Sequence, residues 1–139
     1  MEEIAGTRLS LLATQYAEML AHLRAAYPEE GCGLMAGRDG EVLQLYPVEN
    51  MLHSRVAFEM EPYQQLQAFQ SLEEAGWELL AIYHSHPHGP ETPSAHDIAQ
   101  AYYPEALSVI VSLEEPERPV VRAFAIRDGR VRECALAIS

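Results

Sequence analysis

Four of the six histidines fall in the last fourteen residues of the stretch Tyr83-His84-Ser85-His86-Pro87-His88-Gly89-Pro90-Glu91-Thr92-Pro93-Ser94-Ala95-His96-Asp97. His84 and His86 are two apart. On an extended chain both side chains point to one face, about 7 Å apart at the backbone, and two imidazoles at that spacing can converge on one metal ion. Pro87 and Gly89 stop the ladder just beyond, so the pair sits at a strand end where a site opens to solvent. Ser94 and Asp97 are three apart at a helix start and share a face. Two histidines and a carboxylate, with a fourth position left for water, form a catalytic zinc arrangement. A structural zinc site needs a fourth protein ligand, and the chain has too few thiols for the usual cysteine-rich kind.

Plainer roles compete for each of these residues. Ser-x-x-Asp at a helix start is also a capping box, which accounts for Ser94 and Asp97 by itself and is compatible with catalysis. His88 and His96 can each stand in for a proposed ligand. His88 lies in the loop, and His96 points about 100° away from Asp97 on the helix, so both read as site-lining or surface residues. Zinc chemistry also needs a proton carrier, a carboxylate that touches water without ligating the metal. Glu29 and Glu30 precede a buried segment and can supply it; spacing does not choose between them, and two solvated glutamates after a helix is the simpler account.

The elements that must position these groups follow from patterning. Ser10 reads as the N-cap of a helix through about Tyr27, with Leu12, Tyr16, Met19, Leu20 and Leu23 at helical spacing. Gly31 to Gly37 is a buried strand, Arg38-Asp39-Gly40 a hairpin turn and Glu41 to Val48 the return strand, in which Pro47 signals an edge or an early end. Val56 to Met60 reads as a short strand, and Glu61-Pro62 opens a helix through about Ala75 that Gly76 stops. Trp77 to His86 is the strand that delivers the histidines. Ser94 to Tyr103 is a third helix, followed by strands at Leu107 to Leu113, Val120 to Ile126 and Val131 to Ile138. Residues 1–139 thus read as one α/β domain with a mixed central sheet flanked by helices.

Bulk properties narrow the chemistry. The net charge is −12, all nine basic residues are arginine, and the chain is 48% apolar. That balance argues against nucleic-acid phosphate or an anionic membrane as partner. Met1 to Gly6 lacks the basic start and apolar run of a signal peptide, and no stretch is apolar enough for a membrane span. Two cysteines, Cys32 and Cys134, read as reduced thiols, Cys32 as a small buried hydrophobe, so a cytoplasmic location is expected.

His84-Ser85-His86-Pro87, then Ser94-x-x-Asp97 with seven residues between His86 and Ser94, resembles the motif of the JAMM (MPN+) metalloproteases. The upstream Glu30-Gly31-Cys32-Gly33-Leu34-Met35-Ala36-Gly37 is similar to that family's Glu-x-x-Gly-apolar-apolar-x-Gly segment. The resemblance implies the single-domain MPN fold, which is cytidine-deaminase-like. It implies zinc (Zn2+) held by His84, His86 and Asp97, with Glu30 as general acid/base because only Glu30 keeps the register to Gly33 and Gly37. Ser94 is implied as the hydrogen-bond donor to the oxyanion.

Family members cleave peptide or isopeptide bonds after the C-terminal Gly-Gly of ubiquitin or ubiquitin-like proteins. Leu107 to Leu113 follows the motif helix almost at once, leaving no room for a large substrate-gripping insertion. The compact build is similar to stand-alone prokaryotic members, of which the Mec+ type releases cysteine from a ThiS- or MoaD-like sulfur carrier. The expected partner is therefore a ubiquitin-like or sulfur-carrier protein; the oligomeric state stays open, a homodimer included. The rival classes are a non-catalytic MPN-type binding module and a nuclease or deaminase. All five motif positions are filled, which disfavours the first. The acidic charge and the missing Cys-x-x-Cys disfavour the second.

Overall fold

The computed structural model describes residues 8–139. In chain order the elements are β1 (Arg8–Leu11), α1 (Ala13–Ala26), β2 (Cys32–Arg38), β3 (Glu41–Val48), α2 (Pro62–Glu74), β4 (Glu78–His86), α3 (Ala95–Ala99), β5 (Leu107–Ser112), β6 (Val120–Arg127) and β7 (Arg130–Ile138). Among the described residues the strands close into a ring, β1-β3-β2-β4-β5-β6-β7. β1 runs parallel to both β3 and β7, and β4 parallel to β5; the other neighbours are antiparallel. The sheet is mixed, as expected, with its edges joined through β1.

The start of the chain departs from the sequence reading. Ser10 is no N-cap: it lies within β1, opposite Glu41, and donates its N–H to the Gly40 carbonyl at 2.8 Å. Leu9 and Leu11, 1% and 3% exposed, alternate inward, a period-two signal too short to stand out against the helix beside it. The helix begins after Leu12, which is 54% exposed instead of belonging to the buried face. Gln15 secures that start: its Oε1 accepts the Leu12 N–H and its Nε2 donates to the Val42 carbonyl.

Two other boundaries shift. Val56 to Met60 forms no strand, only an isolated bridge between Asn50 and Met60. The third helix ends at Ala99, not Tyr103. Pro104 disfavours helical geometry at the residue before it, and the helix stops several residues short. The Asp39-Gly40 and Asp128-Gly129 turns take the left-handed conformation that two-residue hairpins need, with φ of 52° and 76°, and 53° and 75°. Pro47 is paired to Gly33 of β2 and has no β1 partner on its other side, as an edge proline requires.

Alternation along β4 divides the interior. Ala81 and Tyr83 face one cluster with Leu9, Leu23, Met35, Val109 and Val111, into which α1 inserts Met19 and Leu20. Ile82 faces the other way, towards Leu34, Val48, Met60 and Ala68 of α2. His84 and His86 continue the Ile82 face towards the end of the strand. Each large side chain buried in these clusters contributes about 1.5–3 kcal/mol. That burial holds β4 rigid where it delivers the histidines.

Tyr83 packs its ring over Gly33 of β2, where a Cβ would collide with it, and its hydroxyl is buried without a hydrogen-bond partner. Gly33→Ala is therefore expected to cost about 1–3 kcal/mol in urea unfolding. Tyr83→Phe should be neutral or stabilising, because it removes an unsatisfied polar atom. A Gly33→Ala protein as stable as wild type would show that the ring does not lie over this glycine.

Candidate metal centre

β2 and β4 pair antiparallel with Cys32 opposite His84. The ladder continues past the strand end: Ser85 N–H donates to the Gly31 carbonyl at 3.0 Å, and Gly31 N–H donates to Ser85 Oγ at 2.9 Å. One residue further the same register sets Glu30 beside His86. Glu30 is also clamped from the opposite direction. Its N–H donates to the Ser54 carbonyl at 2.8 Å, and its carbonyl accepts from Asn50 Nδ2 at 2.9 Å. Its side chain is buried, and Oε1 has no hydrogen-bond partner among the described residues.

α3 brings the second carboxylate. Ser94 Oγ accepts the Asp97 N–H at 3.0 Å, and Asp97 Oδ2 accepts the Ser94 N–H at 2.9 Å, so the capping box is real and fixes the Asp97 rotamer. The carboxylate then reaches both imidazoles, 3.2 Å from His84 Nε2 and 2.9 Å from His86 Nε2. The two Nε2 atoms are 3.1 Å apart. A tetrahedral ion with ligands at about 2.0–2.1 Å has edges of about 3.3 Å, close to all three separations.

The protonation of the donors also suits a cation. His86 Nδ1 donates to the Pro90 carbonyl at 2.7 Å, which in the neutral ring leaves Nε2 as a bare lone pair facing the Asp97 oxygen. Two acceptors at that distance repel unless a proton or an ion stands between them. Glu30 is set further back: Glu30, His84 and His86 each bring a ligand atom within 4.8 Å of the others. The set therefore holds a close triad and one carboxylate standing off.

Burial and charge act differently on each member. Burial pushes the Glu30 carboxyl up to about 8; the His86 charge opposes this and the Asp97 charge adds to it. At Asp97 burial works against the anion, but the hydrogen bonds from His84 and His86 outweigh it and hold the group below the usual carboxylate range. Burial lowers His84 against the pull of Asp97. At His86 burial is outweighed by the Asp97 and Pro90 hydrogen bonds, and the net shift is upward.

Residues 12–127 match the family of prokaryotic homologs of the JAB domain. The chain belongs to that family. The CysO-cysteine peptidase of Mycobacterium tuberculosis is 34% identical over 117 residues, covering 83% of this chain and 80% of its own length. The "Probable TtuB-protein conjugate cleaving protease" of Thermus thermophilus is 41% identical over 122 residues, covering 87% and 76%. The solution structure of DSY2949 from Desulfitobacterium hafniense superposes with a TM-score of 0.86 at 40% identity, covering 94% of this chain and 92% of that one. The fold is the JAB/MPN fold, and the chain is a hydrolase of the JAMM peptidase type.

Within this JAB domain the structure brings together Glu30, His84, His86, Ser94 and Asp97, turns Glu29 away from them, and leaves His88 and His96 lining recesses beside them. Glu29 turns outward, 3.1 Å from His53 Nδ1. His88 is exposed against the edge of Tyr27, with ring centroids 5.4 Å apart. His96 is exposed and lines, with His84, Asp97, Tyr102 and Tyr103, a small recess beside the triad. Cys32 is fully buried, its thiol pushed up to about 12 by burial and by Glu30, which fits an inert hydrophobe.

Three supporting residues had no sequence signal of their own. Asn50 ties the 49–60 loop together: its Oδ1 accepts from the Leu52 and Glu59 N–H groups, and its Nδ2 donates to the Glu30 and Ala57 carbonyls. Phe58 covers the His84 ring at 4.6 Å. Ser112, opposite His86, donates to the Gly89 carbonyl at 2.7 Å and fixes the turn that carries Pro90.

The raised Glu30 pKa sets a pH signature for chelator-treated protein. Unfolded, the group titrates near 4.5; folded and metal-free, near 8. Between those values the folded state holds the extra proton, so this group makes stability fall as pH rises, and below 4.5 the effect vanishes. Wild-type stability minus that of Glu30→Gln, from urea unfolding in chelator, is expected to decline steadily from pH 5 to 8. A flat difference would show that the carboxyl is not held in a dry site.

Proposed function

We propose that this chain is a zinc-dependent metallopeptidase that cleaves the amide bond after the C-terminal Gly-Gly of a ubiquitin-like or ThiS/MoaD-like sulfur-carrier protein. The observation that carries the reading is the close triad His84, His86 and Asp97 with the buried, unpartnered Glu30 carboxylate beside it. The triad is the proposed ligand set, and residues 1–139 act as one domain. The names of the two relatives support the substrate class: one concerns a CysO–cysteine bond and the other TtuB–protein conjugates. The two free thiols suit a reducing compartment, and no helix among the described residues is long and apolar enough to cross a membrane. We place the enzyme in the cytoplasm.

When bound, zinc supplies a Lewis acid that polarises the amide carbonyl and acidifies water. Glu30 takes the proton from the attacking water, since a carboxyl held near pH 8 without the metal is a strong base when ionised. The same carboxyl then passes that proton to the departing amine as the carbon–nitrogen bond breaks. Ser94 Oγ accepts the Asp97 N–H, which leaves its own O–H free to donate to the oxyanion. Asp97 stays ionised as the third proposed ligand, and the Pro90 carbonyl keeps His86 in the tautomer with Nε2 bare.

The test is hydrolysis of a CysO–cysteine conjugate and of a TtuB–lysine isopeptide, with metal content measured in parallel. Glu30→Gln is expected to keep zinc and lose about 10²- to 10⁴-fold in kcat. Ser94→Ala should also keep zinc and lose about 10²- to 10³-fold. His84→Ala should lose the metal, and chelator should abolish activity until zinc is restored. Full activity of Glu30→Gln or of the chelated protein would refute the reading.

A further inference from the structure

The cavity beside the triad has a wall that amide hydrolysis itself does not use. It measures about 260 Å³, and its lining includes Glu30, Arg55, His86, His88, Pro90 and Ser94. Arg55 is the sole arginine of that lining. Among the described residues no carboxylate lies within ion-pair distance of it, in a chain with 21 acidic residues. Arg24, Arg38, Arg122 and Arg127, by contrast, are each committed to a carbonyl or carboxylate elsewhere.

Arg55 is exposed, but its backbone is not loose. The preceding residue, Ser54, accepts the Glu30 N–H on its carbonyl at 2.8 Å, and its Oγ accepts the Val56 N–H at 3.1 Å. Asn50 fastens the same loop on either side of this point, accepting from the Leu52 N–H and donating to the Ala57 carbonyl. The guanidinium is thus carried on a segment bonded directly to the residue that moves the proton. It is a positive charge beside the cavity of an otherwise acidic molecule.

We propose that Arg55 is a specificity-determining residue that receives the α-carboxylate of a single amino acid leaving as the amine, so that the enzyme favours carrier–amino acid conjugates over carrier–protein conjugates. This inference rests on the hydrolase reading above. In a Gly-Gly–cysteine amide the α-carboxylate is attached one carbon from the scissile nitrogen. In a lysine isopeptide that nitrogen is followed by four methylenes, and no carboxylate comes near. The planar guanidinium fork matches a carboxylate and forms a charge-assisted pair with it. Hydrolysis then gives the carrier's glycine carboxylate and a free amino acid whose amine takes the proton from Glu30.

The test compares CysO–cysteine, CysO–cysteinamide and a CysO–lysine isopeptide on wild type, Arg55→Gln and Arg55→Lys, each checked for equal zinc content. Wild type is expected to prefer the free acid over the amide by about 10- to 100-fold in kcat/KM, the range of a hydrogen-bonded charge. Arg55→Gln should erase that preference, mainly through KM, with less than about twofold effect on the amide and the isopeptide. Arg55→Lys should recover part of it. Equal cleavage of acid and amide by wild type, or an equal loss on all three substrates in Arg55→Gln, overturns the proposal while the hydrolase reading stands. Cleavage of none of the three by wild type overturns both.

Discussion

His84 Nε2, His86 Nε2 and the Asp97 carboxylate stand within 3.2 Å of one another in a nearly water-free corner of the fold, with the Glu30 carboxylate just behind them. Gathering lone pairs and anions in a dry site costs free energy unless a cation or shared protons compensate. The surrounding structure can be understood as what keeps those groups from moving apart. The capping box holds Asp97, the Pro90 carbonyl holds His86, and Phe58 covers His84. A side chain free to rotate would relieve the crowding by turning to solvent.

The backbone prevents that escape through two strand pairings of opposite sense. The antiparallel β2–β4 register brings the residues before β2 beside the end of β4, which is how a glutamate some fifty positions upstream meets His86. The parallel β4–β5 register sets Ser112 opposite His86, and Ser112 in turn holds Gly89. Both registers are locked by the division of β4 into two apolar faces. A slip of one residue would send Tyr83 outward and the histidines into the Leu23–Val109 cluster. Positional accuracy at the centre therefore derives from hydrophobic burial several residues away.

This division explains which parts were legible in the sequence. Strong periodicity and punctuation carried β3, α2, β4 and the β6–β7 hairpin to within a residue or two, and the His-x-His and Ser-x-x-Asp spacings carried the chemistry. Misread parts have local patterns too short or too weak to compete. β1 has two alternating leucines beside a helix, and the 56–60 segment has strand-like residues but no neighbouring strand to pair with. Spacing left Glu29 and Glu30 equivalent, because the difference is tertiary: one lies against His53 at the surface and the other under the 49–60 loop. Asn50, Phe58 and Arg55 were invisible for the same reason. Each acts across the chain, not along it.

The two kinds of element also divide the work. Glu30, His84 and His86 lie on or directly beside β2 and β4, whose positions are set by the core and tolerate little change. The 49–60 and 87–93 segments form the cavity's outer wall, and they depend on a few side-chain hydrogen bonds from Asn50, Ser54 and Ser112. Loops of this kind can change residues without disturbing the register that assembles the centre. Amide hydrolysis is then a property of the strands, and the choice of leaving amine a property of the loops. Relatives more than a third identical to this chain over the matched residues are named for different conjugates, as such a division allows.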